Sequence, residues 1–240
     1  MSGFFIWTSP LKEAYVGTTP VKEIYVGTTK VRPTKKAFPY YTTSSSTILY
    51  CPLNEDLADK TGNYTMTASW SPTTGEYDGI DVTYFNKNYI KTTSNYTRNQ
   101  TITVSCAVKK VWNWGSFCWQ WQTSNPWERF IWTSSAYHWY SRSYYKTYTL
   151  NNDERYTITV VFPTSSSYPT VYINWVSTWS TWSFSWSRRW WCPIYIWWDW
   201  NWSSSNLQAY ISNLIIENWD RWATKALNWH NTIKDYYGIN

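Results

Sequence analysis

A chain of 240 residues with 21 Lys and Arg against 15 Asp and Glu carries a formal charge of +6. That length can bury a core without disulfide or metal staples. No block of about five like charges occurs, which excludes a nucleic-acid-binding arm, and no apolar stretch reaches the roughly 18 residues of a membrane span. The opening Met1-Ser2-Gly3-Phe4-Phe5-Ile6 lacks the basic region and long apolar core of a signal peptide.

In chain order, residues 1–33 are a repeat. Leu11-Lys-Glu-Ala-Tyr-Val-Gly-Thr-Thr-Pro20 is followed at once by Val21-Lys-Glu-Ile-Tyr-Val-Gly-Thr-Thr-Lys30, and Val31-Arg32-Pro33 opens a third copy. Alternation followed by Gly-Thr-Thr predicts strand and turn. So short an array buries little alone, so it reads as an anchoring or oligomerisation segment that joins copies of the chain or other proteins. Residues 34–46 read as a polar linker. Residues 47–240 form the main domain. Strands are predicted at 47–53, 64–68, 77–86, 88–93, 100–109, 115–122, 128–133, 136–141, 145–150, 155–162, 169–174, 176–181, 193–198 and 206–217. One helix is predicted over 221–236, capped by Asp220 and Gly238. Short strands at regular intervals predict an all-β, two-sheet antiparallel jelly roll with a C-terminal helix.

Two counts conflict with so many turns. Gly numbers 8 and Trp 22, whereas Gly at about 7% would number roughly 17. Several Trp residues stand where turns want Gly. Phe5-Ile6-Trp7-Thr8-Ser9-Pro10 aligns with Tyr15-Val16-Gly17-Thr18-Thr19-Pro20, which puts Trp7 in the column of Gly17 and Gly27. Asn174-Trp175 sits between two predicted strands, where Asn-Gly is the preferred hairpin pair. Two readings follow. A host that decodes UGA as Gly would have its Gly written as Trp under another code. Alternatively, the Trp residues form a carbohydrate-stacking surface.

The motifs Ile48-Leu-Tyr-Cys-Pro-Leu53, Asp59-Lys-Thr-Gly-Asn63, Gly75-Glu-Tyr-Asp-Gly-Ile-Asp-Val-Thr-Tyr-Phe85, Thr101-Ile-Thr-Val-Ser-Cys-Ala-Val-Lys109, Val171-Tyr-Ile-Asn174 and Ala209-Tyr-Ile-Ser-Asn-Leu-Ile-Ile216 run in an order that resembles the laminin-G-like, concanavalin A-like jelly roll. Cys106-Ala107 replaces an aromatic of that pattern, and Trp175 and Trp197 replace glycines. The resemblance implies a sandwich that hosts lectins and hydrolases alike. The Tyr-Val-Gly-Thr-Thr-Lys-Val-Arg-Pro stretch resembles N-terminal segments of bacteriophage tail-associated proteins. That implies a virion or extracellular surface location, with virion proteins as partners of residues 1–33.

Glu76, Asp78 and Asp81 resemble the acidic strand of laminarinase-type glycoside hydrolases, with Glu76 and Asp78 as the candidate carboxylate pair. Asp81 replaces the terminal Glu of that pattern, and Asp78-Gly79 reads as a turn, so a structural role is the expectation. Asp56, Asp59 and Asn63 offer oxygens of the kind calcium takes, set against a plain solvated turn; no other cofactor is expected. His138 and His230 lack metal-ligand spacing, and His230 falls on the apolar face of the predicted helix. Cys51, Cys106, Cys118 and Cys192 are expected to be mostly free thiols. Trp198 and Trp200, with Arg188 and Arg189, lie in the Trp-rich stretch 175–202 and are the candidate ligand-binding residues, with the arginines suited to acidic glycans. The expected function is a non-catalytic surface-recognition module for a glycan or a host surface protein. The alternatives are a glycoside hydrolase or a structural virion decoration.

Overall fold

The structure is a computed structural model that describes residues 15–16, 19–20, 24–26, 29–31, 36–69, 72–86, 88–97, 101–112, 116–122, 125–132, 135–138, 144–162, 170–178, 191–198, 208–218 and 223–239. It divides into two units, Met1–Phe38 and Pro39–Asn240. In the first, β1 (Tyr15–Val16) pairs with β2 (Thr19–Pro20), and β3 (Ile24–Val26) pairs with β4 (Thr29–Val31), both antiparallel. Each full repeat copy thus contributes one antiparallel strand pair.

The second unit runs β5 (Thr47–Cys51), β6 (Met66–Ser69), β7 (Thr73–Tyr77), β8 (Ile80–Asn86), β9 (Tyr89–Thr92), β10 (Tyr96–Thr97), β11 (Ile102–Trp112), β12 (Ser116–Gln122), β13 (Asn125–Trp132), β14 (Ser135–His138), β15 (Tyr144–Thr147), β16 (Arg155–Phe162), β17 (Thr170–Ile173), β18 (Val176–Thr178), β19 (Trp191–Cys192), β20 (Ile194–Trp198), β21 (Gln208–Glu217) and α1 (Ala223–Tyr237). One sheet has the order β18-β17-β16-β11-β21-β8-β7, with β5 also on β21. The other has the order β15-β14-β13-β12-β20-β9-β6. All pairings are antiparallel. The protein is an all-β sandwich with one C-terminal helix.

Alternation builds the core between the sheets. On β11, Ile102, Val104, Cys106 and Val108 are buried there with Tyr156, Ile158, Val160 and Phe162 of β16. Cys106 fills the place of the missing aromatic; burial pushes its thiol up to about 12, so it packs as a small inert hydrophobe. Cys51 and Cys106 are both free thiols. The other face of these strands carries Ser105, Ala107, Thr157, Thr159 and Ser212, all small and buried. Small side chains let α1 lie close. His230 Nδ1 is 2.8 Å from Thr157 Oγ1, and the Tyr237 hydroxyl bonds Ser212 Oγ. His230 is thus a packed helix histidine, and burial holds its pKa below the ordinary value.

Two positive-φ positions interrupt the predicted strands, one a turn and one a bulge. The single strand expected at 77–86 is two strands, because Asp78 and Gly79 have φ of 52° and 77° and close a two-residue hairpin with Tyr77 opposite Ile80. Asn213 has φ of 51° at an irregularity of β21, where the pairing with β11 shifts between Ser105 and Ala107. There its N–H donates to Pro52 O at 2.7 Å and its Nδ2 to Pro39 O at 3.1 Å.

The hairpin β17–β18 pairs Ile173 with Val176, leaving Asn174 and Trp175 as its loop. Their φ values are 46° and 63°, as a type I′ turn requires. Asn174 tolerates this and uses its side chain: Oδ1 accepts from Thr157 N at 2.9 Å. Trp175 stands 48% exposed.

Candidate functional site

Glu76 and Asp78 of the acidic motif lie on the β7–β8 hairpin. Glu76 is exposed on β7, and Asp78 lies in the turn, 55% exposed at its side chain. Its Oδ2 accepts from Lys109 Nζ at 3.3 Å and Arg155 Nη2 at 3.2 Å. Arg155 also donates to Tyr237 O at 3.2 Å, so the cluster ties the β7–β8 turn to the end of α1. Beside it, Tyr77 stacks on Tyr210 at 3.9 Å, and Lys109 Nζ lies 4.9 Å from the Tyr77 ring centroid. Neighbours already occupy these rings. The small adjoining cavity, about 20 Å³, is lined by Tyr77, Lys109, Arg155 and Tyr210 but by neither carboxylate. It has room for about one water.

In the loop with Asp56, Asp59 and Asn63, protein donors occupy both carboxylates. Asp59 Oδ1 accepts from Tyr50 N and Thr61 N, both at 3.0 Å. Its Oδ2 accepts from Thr61 Oγ1 at 2.6 Å and Tyr64 N at 3.0 Å. Asp56 pairs with Lys60 and accepts from Ala58 N at 2.7 Å. Asn63 turns its Nδ2 donor toward Ile48 O at 3.0 Å. Asp59 and Asn63 staple the loop to β5, and Asp56 ties the loop to itself. Among the described residues, no group of three His, Cys, Asp or Glu side chains is disposed to hold a metal.

Arg188, Arg189 and Trp200 lie outside the described residues. For Trp198 the backbone alone is described, at the end of β20 opposite Ser116.

A groove that sequence reading missed lies between residues 39–42 and α1. Pro39, Tyr40, Tyr41 and Thr42 form one wall, and Asn228, Trp229, Thr232 and Ile233 the other. The helix residues fall at i, i+1, i+4 and i+5, one face of the helix. The cavity is about 320 Å³, inside the range of small-ligand sites. Its walls are aromatic, amide and hydroxyl, without a charged side chain.

Hydrogen bonds fix the outer wall. The Tyr40 ring is 61% exposed, yet its hydroxyl accepts from buried Asn54 Nδ2 at 3.0 Å. Tyr41 N donates to Tyr50 Oη at 2.9 Å, and the Tyr41 hydroxyl donates to Glu217. Burial pushes Tyr50 up to about 12, so it stays a neutral hydroxyl and donates to Asn213 Oδ1 at 2.8 Å. The segment read as a linker is therefore, from Pro39 onward, bonded into the large sheet. The available signal was Pro39-Tyr40-Tyr41 itself, an aromatic pair too costly to leave in a free linker.

No family model and no curated protein matches the sequence. Solved structures do. The chain is similar to domain 4 of AbnA, an extracellular arabinanase from Geobacillus stearothermophilus in complex with arabinotriose, at TM-score 0.57 and 15% identity, covering 76% of this chain and 97% of that one. It is similar to a botulinum neurotoxin type C structure described by cell entry through two ganglioside molecules, at TM-score 0.59 and 10% identity, covering 78% and 51%. It is similar to the binding domain of botulinum neurotoxin DC in complex with rat synaptotagmin II, at TM-score 0.57 and 10% identity, covering 78% and 52%. The chain spans about half the length of the toxin chains. At these identities the likeness is one of fold. No helix among the described residues is long and apolar enough to cross a membrane.

Proposed function

We propose that this chain is a non-catalytic glycan-recognition module, presented at a virion or extracellular surface by its N-terminal repeat. The groove carries the reading. An exposed aromatic ring held by its own hydroxyl offers a flat apolar face to a sugar at little ordering cost. Asn228, Thr42 and Thr232 place amide and hydroxyl groups along the same groove. The uncharged lining selects a neutral saccharide over a sialylated one, since a carboxylate entering there would be desolvated without a cationic partner. The fold it shares with a domain seen with arabinotriose is consistent with this. The surface location rests on the resemblance of the repeat to tail-associated segments.

Hydrolysis is not favoured, because the Asp78 carboxylate is engaged by two cations in an exposed turn. A glycan array probed with the whole chain tests the reading. Binding to neutral oligosaccharides is the expected outcome; silence on every glycan sinks it and leaves the structural decoration.

A further inference from the structure

We infer that residues 7 and 175 are glycine in the protein as its host makes it, because the host decodes UGA as glycine. At the β17–β18 hairpin, away from the groove's lining residues, Asn174 and Trp175 have φ of 46° and 63°. Both central residues of a type I′ turn need φ > 0, which is why Asn-Gly dominates there. Trp is among the residues for which this conformation is most out of place. Burial compensates only in part, because Trp175 is 48% exposed. A residue that fits the turn so poorly and is only half covered has little structural reason to be Trp.

The N-terminal repeat reaches the same result by another route. Trp7 occupies the column that Gly17 and Gly27 fill in the next two copies. Composition agrees with both: 22 Trp stand beside 8 Gly in a chain with more than a dozen strands to connect. One change of decoding accounts for the turn and the repeat column together. The consequence for function is direct. Position 175 contributes no aromatic to a binding face, and recognition falls to residues such as Tyr40 and Tyr41, whose codons the change does not touch.

The test is peptide sequencing by mass spectrometry on the protein from its native source. No Lys or Arg lies between Tyr156 and Arg188, so one tryptic peptide carries position 175, and the Met1-to-Lys12 peptide carries position 7. Glycine at both positions, each lowering its peptide mass by the Trp–Gly difference, is expected. Tryptophan at position 175, or UGG as its codon in the native gene, overturns the inference. Glycine at 175 with tryptophan at 7 overturns the shared decoding.

Discussion

The β17–β18 turn allows two substitutions with opposite expected signs. In Trp175→Gly the left-handed backbone is kept and its steric cost, about 1–2 kcal/mol for a residue with a Cβ, is removed. The unfolded chain gains freedom, which returns about 0.4–1 kcal/mol. The lost indole is half in solvent and packs little. The net is a stabilisation of about 0.5–1 kcal/mol, or about 1–4 °C in Tm for a unit of this size. Asn174 has a positive φ as well, but its Oδ1 accepts the Thr157 N–H at 2.9 Å. Asn174→Gly leaves that part-buried donor without its partner, and an unsatisfied group of this kind costs about 1–3 kcal/mol. Its Tm should fall by about 2–12 °C. Thermal melts of the three proteins side by side decide it. If Trp175→Gly melts lower than the parent, or if the two glycine variants move together, the turn argument is wrong.

Asp78→Asn should cost less than about 1 kcal/mol, as exposed ion pairs do, and the loss should shrink at high salt; urea unfolding at two ionic strengths measures both, and a change in saccharide binding would contradict the structural role. Asp59→Ala strips an acceptor from three backbone N–H groups and the Thr61 hydroxyl, a loss on the order of 3 kcal/mol; a urea midpoint close to the parent's would show that the loop is not held this way. Burial depresses the pKa of His230 below its unfolded value. The unfolded chain therefore takes up the proton first, so this stability is present above about pH 6.5 and is lost as pH falls through the folded pKa. Melts between pH 7.5 and about pH 5 should show a Tm decline that His230→Gln flattens; an unchanged slope would contradict it.

The sandwich was legible because alternation is a strong signal where both neighbours of a strand are regular. Strand β16 begins and ends where its Arg155-to-Phe162 pattern does, and β11 and β21 carry long apolar alternations. The Asp78-Gly79 break was visible as a dipeptide but lay hidden inside a run that otherwise reads as one strand. The bulge at Asn213 left no mark in composition, since its positive φ is stabilised by the distant groups Pro52 O, Pro39 O and Tyr50 Oη. The groove was illegible for a related reason. Its walls come from residues 39–42 and from α1, nearly 190 positions apart, and only the fold brings them together. Asp78, Asp56 and Asp59 drew attention through charge, yet their partners turn out to be Lys109, Arg155, Lys60, the Thr61 hydroxyl and backbone amides. Carboxylate spacing alone does not distinguish a clamp from a catalytic pair.

The central claim is that the groove beside Tyr40 binds a neutral saccharide. Titration of the tightest neutral glycan found on the array, followed by calorimetry against the parent chain and Tyr40→Ala, tests it most directly. Removing one stacking ring should weaken binding at least about tenfold, roughly 1.4 kcal/mol, while Tyr77→Ala, which does not line the groove, leaves it unchanged. Equal affinities for the parent and Tyr40→Ala, with both folded by circular dichroism, would contradict the account.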